Sequence, residues 1–70
     1  MLTEKEATLL RLLSKEMLIR KDELRKKLKG SMEGYEFVLS KLISDGYVKS
    51  IESIGSHCFA ITQKGTKALF

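Results

Sequence analysis

Six basic side chains crowd into ten residues of this sequence: Arg20, Lys21, Arg25, Lys26, Lys27 and Lys29, with only Asp22 and Glu23 among them. The segment carries +4, matching the net charge of the whole chain, because residues 1–19 balance to zero, residues 30–46 carry −2 and residues 47–70 carry +2. Cations gathered on one short segment suit a polyanion such as a phosphate backbone, since each neutralised phosphate releases condensed counterions. The alternative is a solvated helix face. Arg20 and Lys21 favour phosphate, because cations at the start of a helix oppose its dipole yet suit an anion bound there.

Catalytic chemistry has no comparable set. The single His and single Cys, His57 and Cys58, are neighbours in an extended run, so their side chains point to opposite faces and cannot act as a nucleophile–base pair. One of each is too few for a zinc site or a disulfide, and no glycine-rich phosphate loop is present. The expectation is a protein that is not an enzyme and holds no metal or cofactor, with Cys58 a small half-buried apolar residue rather than a redox sensor.

The chain has 70 residues, enough for one domain over 1–70 and not for a cleft between two. At 43% hydrophobic it has the composition of a globular protein, and no apolar run approaches the ~20 residues that span a bilayer. From Glu4 onward charges alternate with leucines, unlike a signal peptide, so the expected location is the cytoplasm. Asn, Pro and Trp are absent and Lys, Glu and Leu abound, a bias that hints at a thermophile.

The elements that must position the basic segment can be read in order. Thr3-Glu4-Lys5-Glu6 is a capping box, with Leu2 and Ala7 placed as a staple, and it starts a helix that ends near Lys15. The apolar arc of that helix (Ala7, Leu9, Leu10, Leu12, Leu13, Met17) is wide, so the helix is either well buried or shared with a partner. Met17-Leu18-Ile19 suits a brief strand. Lys21 to Leu28 forms a second helix on the Leu24/Leu28 stripe, with Gly30 as its C′ residue. Ser31 caps a third, in which Tyr35, Val38, Leu39, Leu42 and Ile43 recur at helical spacing until Gly46. Tyr47–Glu52 and His57–Ile61 then form a hairpin around Ser53-Ile54-Gly55-Ser56. Thr62 caps a last helix, Gln63 to Leu69, which Gly65 weakens by ~1 kcal/mol relative to Ala. The fold class expected is α+β: a three-helix core, a C-terminal hairpin and a short final helix.

With Leu39-Ser40-Lys41-Leu42-Ile43-Ser44-Asp45-Gly46-Tyr47-Val48 before the hairpin and Phe59-Ala60-Ile61-Thr62-Gln63-Lys64-Gly65 after it, the chain resembles the winged helix-turn-helix DNA-binding domains of prokaryotic MarR, PadR and ArsR-type transcriptional regulators, over nearly all its length. The resemblance implies a regulator or chromosome-associated protein whose partner is double-stranded DNA. Helix 2 would meet phosphates through Arg20, Lys21, Arg25, Lys26 and Lys29, with the hairpin as a wing contributing Lys49, Ser53, Ser56 and His57. Helix 3 would enter the major groove with Met32, Glu33, Glu36, Phe37, Ser40 and Lys41 on its exposed face, and Ser31 and Gly34 at its start would either permit close phosphate approach or only cap the helix and pack it against helix 2. Helix 3 departs from the usual Arg, Lys, Asn and Gln, and two readings stand open: base reading, with carboxylate to cytosine and Phe or Met to a thymine methyl, or binding of another protein by its acidic and apolar face. Ile54 at the tip wedges into a minor groove, packs against a partner or folds back on the hairpin, the last being the expected outcome. A homodimer through helix 1 and Leu69-Phe70 would suit paired half-sites, although a long dimerisation helix is missing.

Overall fold

Helix α1 (Glu4–Glu16) starts on its capping box: the Thr3 hydroxyl accepts from the Glu6 amide at 3.2 Å, and the Glu6 carboxylate accepts from the Thr3 amide at 2.9 Å. The structure, a computed structural model, describes residues 2–28 and 32–69, the backbone alone at 32 and 33. The roles expected of Lys29, Gly30, Ser31, the Met32 and Glu33 side chains and Phe70 lie outside the described residues. Met17 closes α1 at a positive φ of 64°, its amide donating to the Leu13 carbonyl at 2.7 Å, and turns the chain into β1 (Leu18–Arg20). There follow α2 (Lys21–Lys27), α3 (Met32–Ser44), β2 (Val48–Ser53), β3 (Ser56–Ile61) and α4 (Gln63–Leu69). The fold is mixed α+β, with four helices and a three-stranded antiparallel sheet in the order β1-β3-β2 among the described residues. Among the described residues no helix is long and apolar enough to cross a membrane.

The core sits between the helices and one sheet face. Leu9, Leu10 and Leu13 of α1, Leu24 of α2, and Leu39 and Leu42 of α3 meet Ile19, Val48 and Phe59 of the strands, all buried. Antiparallel register pairs Ile19 with Phe59 and Val48 with Ile61, so these residues share the covered face. Most of the apolar arc on α1 is covered within the chain: this helix packs on α3, α4, β1 and β3, and Leu2, Leu12 and Leu69 lie against the same core, while Met17 at its C-cap stays exposed.

Helix α3 ends in a Schellman motif. The Tyr47 amide reaches back to the Leu42 carbonyl at 2.9 Å and the Gly46 amide to that of Ile43 at 3.1 Å, with Gly46 at φ 84°. Helix α4 begins on this same corner. The Thr62 amide donates to the Tyr47 carbonyl at 3.0 Å, and its hydroxyl donates to the Gly46 carbonyl at 2.6 Å while accepting from the Gly65 amide at 3.1 Å. Lys64 donates to the Asp45 carbonyl at 2.8 Å, its ammonium 4.9 Å from the centre of the Tyr47 ring. Gly65, which local propensity counts as a weakness, is buried, and a Cβ there would collide with the Tyr47 carbonyl oxygen and lie 2.8 Å from Ile61 Cγ1.

At the far end of the hairpin Ser53 pairs with Ser56, their hydroxyls 2.9 Å apart, and Gly55 supplies the left-handed residue at φ 82°. Ile54 does not fold back. It is fully exposed, because a two-residue loop holds it beyond the last cross-strand pair with nothing to pack on.

Two outcomes test these contacts. Gly65→Ala is expected to lower the unfolding free energy by about 1–3 kcal/mol, the range for overpacking; a urea midpoint equal to the parent's would show that α4 can back away from Tyr47. The Thr3 amide bonded to Glu6 holds that carboxyl below its ordinary range, aided by the Thr3 hydroxyl and the Lys41 charge and opposed by burial. A depressed folded pKa gives stability that is present above the unfolded value and lost as pH falls through the folded one. Glu6→Gln should therefore show a smaller acid-side loss of thermal stability than the parent; parallel pH profiles would contradict this.

Candidate nucleic-acid interface

Helix α2 buries Leu24 and rests Leu28 on the core, which turns its charged residues outward in two directions. On one side Arg20 Nε donates to the Glu23 carboxylate at 3.2 Å and lies 3.9 Å from that of Asp22, and these acids raise its pKa further. Lys27 reaches back to Glu16 of α1 at 3.9 Å. Such exposed pairs are screened by water and leave both cations open to exchange for a phosphate. Lys21, Arg25 and Lys26 have no carboxylate within 4.0 Å among the described residues.

Two open grooves run along this side of the molecule. One, of about 300 Å³, lies between the start of α2 and the hairpin end and is lined by Arg20, Lys21, Asp22, Arg25, Gly55, Ser56 and His57. The other, of about 280 Å³, separates α3 from the hairpin: Lys21, Glu36, Ser40, Ser50 and His57 line it over a floor of Leu39, Ile43 and Phe59. The grooves share Lys21 and His57 and so meet. Charge is graded along them, with three cations against Asp22 at the α2 end and Lys21 against Glu36 at the α3 end.

His57 is positioned by sheet register. It pairs with Glu52 across the hairpin, and Ser50 pairs with Phe59, so all four share the face turned toward α3. The His57 ring lies 4.7 Å from that of Phe59, with Nε2 2.7 Å from Ser50 Oγ and 3.7 Å from the Glu52 carboxylate, an ion pair only when the ring is protonated. Cys58, half-buried, lies on the opposite face.

Of the residues expected to act together, Arg20, Lys21, Arg25, Glu36, Ser40, Ser56 and His57 line the two grooves, and several others do not. Phe37 and Lys41 border a separate hollow with Thr3, Glu6 and Val38, because the 36/40 and 37/41 rows of α3 are ~100° apart and the second faces the start of α1. Phe37 is 78% exposed there. Lys49 is opposite Ala60, one step from Ser50, and therefore on the outer sheet face. Lys26 is exposed on α2 outside both grooves, and Ser53 reaches them only through its bond to Ser56. Lys29, Ser31 and the Met32 and Glu33 side chains are outside the described residues. Sequence reasoning missed Ser50, although the signal was present: a turn at Ile54-Gly55 pairs 52 with 57, and parity then puts residue 50 on the same face.

Two adjoining open grooves, basic at one end and neutral at the other, suit an extended anionic polymer better than an enclosed small molecule. Compared with family models, curated proteins and solved structures, the chain matches none.

Proposed function

We propose that this chain is a winged-helix protein that binds duplex DNA, as a transcriptional regulator or chromosome-associated protein, with the β2–β3 hairpin as its wing. The observation that carries the reading is the meeting of the two grooves at Lys21 and His57, which joins the basic side of α2, the wing and one flank of α3 in a single surface. Lys21 and Arg25 take the sugar–phosphate backbone, Ser56 and His57 hold it from the wing, and α3 leans toward the major groove with Ser40 and Glu36. Phosphate contacts of this kind fix orientation and make affinity depend on salt.

Anisotropy of a labelled duplex tests this. With about three phosphates neutralised, affinity should fall about 40-fold as salt rises from about 50 to about 200 mM. The Lys21→Ala/Arg25→Ala double variant should weaken binding on every sequence and flatten the salt slope by about two. Failure to retain any duplex at low ionic strength sinks the reading.

A second reading is favoured by Phe37, whose exposed ring beside Val38 and Lys41 lies away from both grooves and gives α3 an apolar contact for another protein. Association that resists salt, is abolished by Phe37→Ser and occurs without any DNA shift would favour it.

A further inference from the structure

Among the described residues, Glu36 is the one acidic side chain that α3 contributes to the grooves, exposed and set in the wall opposite the hairpin with Lys21, Ser40 and His57 around the same space. Its carboxylate accepts hydrogen bonds and donates none. In a site built to hold phosphates such a group costs affinity through repulsion unless it finds a donor. Building on the DNA-binding reading, we propose that Glu36 is a base-reading residue that selects a C·G pair by accepting from the cytosine N4 amine in the major groove.

The chemistry of base edges makes the choice. Guanine presents two acceptors, N7 and O6, and thymine presents O4 and a methyl group, so neither offers Glu36 a donor. Adenine carries an N7 acceptor of its own beside the N6 amine, which repels a second carboxylate oxygen; cytosine carries N4 with no acceptor on its own major-groove edge, the guanine O6 lying across the pair. Lys21 lines the same groove as Glu36 and Arg25 the adjoining one, so positive charge on this side of the molecule offsets part of the repulsion between the carboxylate and a phosphate backbone. Ser40, one turn further along α3, both donates and accepts and imposes no such choice.

The amide isostere gives the test. Glutamine is as good a helix former as glutamate and residue 36 is exposed, so Glu36→Gln keeps the fold, which far-UV circular dichroism verifies. Glutamine matches the donor–acceptor pair of adenine. The full chain and the variant are each used to select from a pool of randomised duplexes, and affinities are then measured on the winners and their single-pair variants. The parent should enrich a C·G pair at one position, with a loss of about tenfold or more on changing it. The variant should shift that position to A·T and bind unrelated duplexes more tightly than the parent does. Enrichment of no base by the parent overturns the proposal, as does a variant that gains affinity on all duplexes while selecting the same sequences. Both outcomes leave DNA binding intact; loss of every duplex at low salt instead removes the DNA reading itself.

Discussion

The carbonyl oxygen of Tyr47 accepts the Thr62 amide at 3.0 Å and leaves Gly65 no room for a Cβ. Around that atom the end of α3, the base of the hairpin and the start of α4 are tied together: Thr62 bonds the Gly46 carbonyl and Lys64 that of Asp45. The knot fixes Val48 opposite Ile61, and the pairing then runs without a slip to Ser53 opposite Ser56. A shift of one residue would reverse every side chain of a strand. The turn at Ile54-Gly55 and the Tyr47 corner hold the same register from opposite ends of the hairpin, so the facing of His57 and Ser50 toward α3 also rests on a contact that does not touch the candidate interface.

The local elements were legible because their causes are local. Thr3 and Glu6 close a four-residue box, and Gly46 is the left-handed residue of the Schellman corner. The hairpin follows from a glycine between two strand-like runs. Gly65 was misread as a helix weakness because its reason lies in Tyr47, distant in sequence and adjacent in space. The same distinction separates the site residues. Period and parity show that 36/40 and 37/41 form different rows and that Lys49 opposes Ser50, but which row faces the hairpin and which the start of α1 is decided by tertiary packing. Ile54 was expected to find cover, and the shortness of its loop denies it any.

The charge gradient along the grooves accords with the two sequence patterns that form them. Helix α2 needs only Leu24 and Leu28 for packing and is free to carry cations on the rest of its surface. Helix α3 gives Leu39 and Leu42 to the core and rests Tyr35, Val38 and Ile43 on it, leaving fewer positions open, and those in the grooves are neutral or acidic. Under the proposed DNA-binding reading, the difference in how much of each helix the core consumes would leave α2 to hold the backbone and α3 to discriminate.

Lys21 and His57 belong to both grooves, and this sharing joins the two halves of the surface thermodynamically. Changes on opposite sides of the junction, at Arg25 and at Ser40 for instance, act through common partners, so their free energies do not sum as those of separated positions do. On the proposed reading, a polymer lying across both grooves would have its hold at the α2 end and its alignment along α3 coupled through these two shared residues.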